Sequence, residues 1–283
     1  MGQYYKIINV DKKECITPWS YGSGAKLMEW SYILSDGTAN AFVSAMIRLL
    51  SDRWKGDRVY VVGDYADPES ATGDIDLIRS IGSMLAGAGI NPIQTSIPSD
   101  VLNDDAVAKT VAVNEDWQSV LMSLYKEFDW LGKKDEDGYD YSLYRCHENG
   151  FSELSPNDLG EGFSNVNDDW GNPDNDKTGV IASRYVCNSL TREYIDLREL
   201  PREWNYGGED DNTGLFVSVF PLSLLLAMGN GLGGGDYYGQ NRDHVGYWVP
   251  YASGVFFSDE IPAGFSKFTP DFSERTPEIE EAS

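Results

Sequence analysis

Two stretches far apart in the chain carry the same pattern, and a chain that repeats a pattern is restricted in how it can fold. Residues 4–16 read YYKIINVDKKECI, and residues 183–195 read SRYVCNSLTREYI. Placing Asn188 on Asn9 puts Val186 on Ile7, Arg192 on Lys13, Glu193 on Glu14 and Ile195 on Ile16. Each stretch has apolar residues on both sides of a polar turn, the signature of a β-hairpin. The correspondence continues downstream. Thr38–Leu50 reads as an amphipathic helix, with Phe42, Met46 and Leu49 on one face and Ala45 and Leu50 beside it. The apolar run Phe216–Met228 holds the same place in the second half. Trp54 precedes a buried-type strand at Arg58–Gly63, and Trp248 precedes one at Gly254–Ser258. Asp64 and Asp259 follow those strands. Order and spacing predict an α+β fold of two pseudo-symmetric repeats, each a hairpin, a helix or apolar run, and a strand. Glu14 and Glu193 are then expected in equivalent structural roles, pairing with an arginine or capping a turn.

Residues 1–68 form repeat A and residues 180–268 form repeat B, expected to pack as one compact unit. Residues 69–179 between them read as a helical and acidic-loop insertion. Ile75–Ala88 is one predicted helix and Glu115–Leu131 a stronger one, with Trp117, Val120, Leu121, Leu124 and Phe128 on one stripe. Tyr141–Tyr144 reads as a short strand, while Ala25–Leu34 fits either a short helix or a strand. Phe151–Thr178, rich in Asn, Asp and Gly, reads as a long surface loop or linker. Residues 269–283 carry Glu274, Glu278, Glu280 and Glu281 and read as a solvated acidic tail.

Several of these motifs resemble those of a family of bacterial and phage-borne proteins. The family starts with MGxYYKxVNxxKKE, followed by GDxxKLxEF and WxGDRVxxxGDYA. Its second half carries YxxNxTKKEYVD, a GNGxGGGDY loop and a Trp segment ending in DEIPxGF. The matching stretches here are Met1–Glu14, Gly22–Trp30, Trp54–Ala66, Tyr185–Asp196, Gly229–Tyr237 and Trp248–Phe265. The resemblance covers the two ends of the chain. It carries no assigned activity, so it implies organisation and no chemistry. The family has a basic residue where this chain has Leu232.

The most unusual local composition is in the stretch Leu224–Gly239, LLLAMGNGLGGGDYYG. Gly229, Gly231, Gly233, Gly234 and Gly235 fall within seven residues, followed by Asp236. Glycine serves where φ must be positive or where a backbone must approach something closely. One reading is a ligand site, in which bare N–H groups cradle an anion and Asp236 and His244 complete the set. The other is a structural crossing or partner contact at the junction of the repeats. The loop is not a P-loop, since no Gly-Lys-Ser/Thr follows, and no βαβ unit surrounds it.

Other candidate chemistry is sparser. Asp64, Asp67, Asp236 and Asp259 could converge as cation ligands or acid–base groups, but aspartate also ends strands and turns routinely. Asp174, Asp176 and Thr178 resemble the opening of a calcium loop, whose twelfth position is Tyr185 instead of a bidentate acid. Asp135, Asp137 and Asp140 form a similar cluster. The histidines are His147 and His244. Cys146 precedes His147, but neighbours on a strand point to opposite faces, which is poor support for a Cys–His pair. Cys15, Cys146 and Cys187 contain no CxxC and fit reduced thiols in a cytoplasmic protein. No nucleophile elbow, HExxH or kinase set is present in the sequence. No catalytic residue, metal or cofactor is therefore assigned.

A net charge of −24 repels nucleic-acid phosphates and anionic lipid. It suits a basic protein partner, a DNA-mimic role, or simply high solubility. Met1–Val10 lacks the pattern of a signal peptide, and no apolar run has the length of a membrane span. Trp170, Trp204, Tyr206, Tyr237, Tyr238, Tyr247 and Tyr251 lie in Gly- and Asn-rich stretches, outside core periodicity. Aromatics placed this way fit either a recognition surface or long loops that pack down on their own aromatics. The functional expectation is an acidic intracellular protein-binding module such as an inhibitor, immunity-type or phage anti-defence factor. The alternative is a small-ligand protein or enzyme with its site at the glycine-rich loop.

Overall fold

The computed structural model describes residues 3–30, 40–66, 117–169, 184–200, 203–204, 216–217, 220–229 and 244–269. Mixed helices and strands form an α+β fold with two main sheets. In the first sheet, β1 (Tyr5–Asn9) pairs antiparallel with β2 (Glu14–Ile16) and with β3 (Val59–Gly63). β4 (Ser152–Glu153) adds parallel to β2 at one edge. In the second sheet, β5 (Tyr185–Asn188) pairs antiparallel with β6 (Glu193–Asp196). A third pair, β7 (Glu203–Trp204) and β8 (Phe216–Val217), is antiparallel and separate. β9 (Ala227–Met228) comes from the second half of the chain but pairs parallel with β3, extending the first sheet. β10 (Val255–Ser258) pairs antiparallel with β5, and β11 (Ser266–Lys267) adds parallel to β6.

The two hairpins have local causes that the sequence specifies. Asn9 Oδ1 accepts from Lys12 N at 2.9 Å, and Asn188 Oδ1 accepts from Leu190 N at 3.0 Å and Thr191 N at 3.3 Å. The side chain thus replaces part of the ladder as the chain leaves the strand, a known use of Asn. Lys13 and Arg192 then take positive φ, 52° and 56°, to return the chain. Register places Asn9 opposite Glu14 and Asn188 opposite Glu193. Glu14 accepts from Trp54 Nε1 at 2.7 Å, and Glu193 accepts from Trp248 Nε1 at 3.1 Å. Glu14 also takes both guanidinium arms of Arg53, whereas Glu193 takes the Tyr247 hydroxyl at 3.2 Å. Both indoles are fully buried, so each N–H requires an acceptor, and each glutamate supplies one.

The parallel edge strands match in the same way. Ser152 sits opposite Glu14 and Ser266 opposite Glu193. Ser152 N donates to Lys13 O and Ser266 N to Arg192 O, both at 2.9 Å. Each strand is launched by a left-handed glycine, Gly150 at φ 93° and Gly264 at φ 80°. Strand order and sense therefore agree between β4-β2-β1-β3 and β11-β6-β5-β10.

α1 (Ala41–Ser51) begins where Asn40 Oδ1 accepts from Phe42 N and Val43 N, an N-cap that satisfies two otherwise orphaned donors. The pattern suggests one apolar face, yet only Arg48 and Ser51 are exposed. The reason is tertiary: β10 and the turn Pro156–Leu159 pack on the helix. Helical residues 117–127, here α2, bury Trp117, Leu121 and Leu124 as the stripe predicts. α3 (Pro221–Leu225) is a short buried helix, so Phe216–Met228 is divided among β8, α3 and β9 instead of forming one helix. One core cluster joins residues of both halves, including Trp54, Trp117, Val186, Ile195 and Trp248.

Two expectations are corrected. Tyr141–Tyr144 is not a strand: Tyr141 N donates to Lys133 O and Leu143 N to the Tyr125 hydroxyl, so the segment is used in a turn on α2. Residues 151–169 lie largely at the surface, but they are not a free linker. They form β4 and a short 3-10 turn, and Phe151, Leu154, Leu159, Phe163 and Val166 enter the core. Ala25–Leu34 resolves in its described part to a single 3-10 turn, Leu27–Glu29. The predicted helix Ile75–Ala88, the Asp174–Thr178 cluster and the acidic tail from 270 onward lie outside the described residues.

Candidate functional site

The sequence-derived site residues divide sharply. Gly231, Gly233, Gly234, Gly235, Asp236, Trp170, Tyr206, Tyr237, Tyr238 and Asp67 lie outside the described residues. Trp204 is placed in β7. Gly229 is buried and sits against the Gln3 side chain, where a Cβ would come within 2.6 Å of Gln3 Nε2. Gly229 is thus in close contact with the Gln3 side chain. His244 packs edge-on to Phe268 at 4.9 Å, and Tyr247 stacks on Phe268 at 5.3 Å. The two flanks of residues 230–243 are tied together, because Gly246 N donates to Leu224 O and Trp248 N to Leu225 O. Asp64 accepts from Tyr4 N at 3.1 Å, and burial raises its pKa. Asp259 is exposed, and Asp135 pairs with Arg145 and caps its own turn. Among the described residues, no three His, Cys, Asp or Glu side chains gather to hold a metal ion.

The described residues do assemble a polar cluster that sequence reasoning missed. It lies against the first sheet, where β1, β2 and β4 meet the 3-10 turn Cys146–Asn149. Alternation along β1 sends Ile7 and Lys6 to opposite faces. Lys6 is 2% exposed, unusual for a lysine. Its ammonium lies 3.2 Å from His147 Nδ1 and 4.6 Å from the centre of the Tyr144 ring. An ammonium only donates, so Nδ1 accepts, which leaves the ring proton on Nε2. Nε2 lies 3.5 Å from Glu148 Oε1. Burial lowers the His147 pKa, and the Lys6 charge adds to that effect.

Glu153 forms the other side of the cluster. Burial alone would raise its pKa, but hydrogen bonds from Thr17 and Ser20, with the nearby Lys6 and His147, bring it below the usual value. Cys15 faces Cys146, and both are fully buried. A hydrogen bond from Cys146 lowers the Cys15 pKa against the opposing effect of burial, and Lys6 assists. The donor role and burial raise the Cys146 pKa. Cys187, buried without such partners, is pushed up to about 11. The cluster is thus a cation, a thiol pair and a carboxylate placed together, in which Lys6 favours a thiolate at Cys15 and Glu153 opposes it. Exposed Tyr4 and Trp19, with ring centres 6.0 Å apart, lie on the same part of the molecule.

No family model, curated protein or solved structure matches this chain. Among the described residues, no helix is long and apolar enough to cross a membrane.

The His147 shift has a consequence for stability. Its folded pKa lies below the ordinary 6.5, so the unfolded chain binds the proton more readily. Stability should therefore fall as pH drops below 6.5, and His147→Gln should remove that part of the loss. Urea unfolding of both proteins on either side of that pH is the measurement. The stability of wild type relative to His147→Gln should decrease on acidification. An unchanged or growing relative stability would contradict the assignment.

Proposed function

We propose that this chain is an acidic protein-binding module that recognises a basic partner, acting as an inhibitor, immunity-type or anti-defence factor. The observation that carries the reading is the combination of a −24 net charge with exposed apolar groups at the tip of the second hairpin. Leu190 is 58% exposed and Tyr251 41% exposed. They are neighbours: Leu190 N donates to Asn188 Oδ1, and Asn188 Nδ2 donates to Tyr251 O. Tyr247, among the aromatics singled out in the sequence, is 37% exposed at the same end. Its hydroxyl and ring are engaged with Glu193 and Phe268, so it supports this surface more than it projects from it. Acidic surroundings steer a basic partner, and a small apolar centre excludes water at contact.

The halves are read as a pseudo-two-fold pair, supported by their matched hairpin registers and parallel edge strands. The alternative is a ligand site at the glycine-rich loop, flanked by Gly229 beside Gln3 and His244 beside Phe268.

The test is capture from a bacterial lysate by the immobilised protein. A specific basic protein should bind at low salt and be lost when salt reduces the Debye length to about 3 Å. Leu190→Glu and Tyr251→Glu should each abolish that capture while leaving the melting temperature within a few degrees of wild type. Capture that survives both variants would refute this surface.

A further inference from the structure

Cys15 and Cys146 are far apart in the chain, yet β2, which carries Cys15, packs against the 3-10 turn that begins at Cys146, and both cysteines are fully buried there. The backbone places them there. Phe151 N donates to Cys146 O, which folds the 3-10 turn Cys146–Asn149 back onto β4. β4 is held on β2 by Ser152 N to Lys13 O and Leu154 N to Cys15 O. Cys15 lies opposite Glu153 in that parallel pair. The same sheet edge therefore carries one thiol on β2 and brings the other over it. The buried Lys6 ammonium lies in the cluster, with His147 and the Tyr144 ring as its contacts among the described residues. Cys187, on β5 in the other sheet, has no such surroundings.

We infer that Cys15 and Cys146 form a dithiol site that peroxide converts into an intramolecular disulfide, with Cys15 attacking and Cys146 resolving. In the first step, the Cys15 thiolate attacks one peroxide oxygen. The O–O bond breaks, Cys15 becomes a sulfenic acid, and hydroxide leaves and takes up a proton. In the second step, the Cys146 sulfur attacks the sulfenic sulfur, the S–O bond breaks, and water leaves with the Cys146 proton. Two thiols and one peroxide give one disulfide and two waters. Cys15 takes the attacking role because the β1–β2 register sets it opposite Ile8, on the face of the sheet that also carries Lys6. The lysine charge nearby favours a thiolate at the same atom. Peroxide reaches the buried pair by opening of the short 146–149 turn, whose His147 side chain is 39% exposed.

The test uses the full chain, folded and reduced. It is exposed to hydrogen peroxide, then denatured with N-ethylmaleimide to label every remaining thiol. Intact mass should show a single maleimide, a protein lighter by two hydrogens, and peptide maps should link Cys15 to Cys146. The label should sit on Cys187. Dithiothreitol before labelling should restore labelling at all cysteines. Cys187→Ser should leave the disulfide intact, and Cys146→Ser should leave a sulfenic acid at Cys15 that dimedone captures. Full labelling after peroxide, a link through Cys187, a linked dimer, or sulfinic acid on Cys15 beside a free Cys146 would each overturn the proposal. The wild-type map decides the matter even if a variant fails to fold.

Discussion

Trp54→Ala is expected to cost about 3–5 kcal/mol, a large share of the total stability of a domain this size. The indole is fully buried in the core that joins the halves. Its removal leaves a cavity that the surrounding strands close only in part. It also leaves Glu14, 9% exposed, without its indole donor and with Arg53 as its remaining charged partner. Trp54→Phe separates the two effects. It keeps most of the packing and loses the hydrogen bond to a charged acceptor, for about 1.5–3 kcal/mol. Trp248→Ala should fall in the same range, because its indole is equally buried and bonds Glu193 at 3.1 Å. Urea unfolding reads the difference as a lower midpoint at unchanged slope. A shift under about 1 kcal/mol for both tryptophans would show that these indoles do not anchor the core.

Gly246→Val should be nearly as damaging, at about 2–4 kcal/mol. Gly246 has φ 74°, and a Cβ there would lie 3.1 Å from Ala227 O and 3.7 Å from Trp117. A left-handed backbone costs an L-residue about 1–2 kcal/mol, and a branched side chain adds crowding against a fixed carbonyl. Gly264→Val is the control. Its φ is 80°, but nothing lies within 4 Å of its Cβ position, so only the backbone part applies. The difference between the two variants measures how tightly the exit of the glycine-rich segment is packed. Equal effects in both would mean that the crossing at Ala227 relaxes freely. Gly234→Val, the corresponding change within the loop, falls outside the described residues.

The comparison of Gly229 with Gly150 shows why glycine content alone was ambiguous. Gly150 needs a positive φ, while Gly229 needs the absence of a Cβ beside Gln3. The letter is the same and the physical demand differs. The sequence of Gly-Phe-Ser at 150–152 and again at 264–266 was a usable signal for β4 and β11. It is three residues long, and it falls in a segment whose Asn and Asp content suggested a surface loop.

The sequence by itself determined the elements whose causes are local. The hairpins follow from apolar residues on both sides of a turn that an asparagine side chain closes. α1 follows from a helical period behind an asparagine cap. Period and capping act over a few residues, so they can be read in one dimension. The tertiary structure decided what depends on residues distant in the chain. It buried α1 nearly all round by packing β10 and the 156–159 turn on it. It drew β9 from the second half into the first sheet. It also placed Lys6, Cys15 and Cys146 in one cluster, with no sequence spacing to announce it. Burial and charge proximity are properties of three-dimensional packing, and a strand pattern such as YKIIN fixes which face Lys6 takes but not what covers that face.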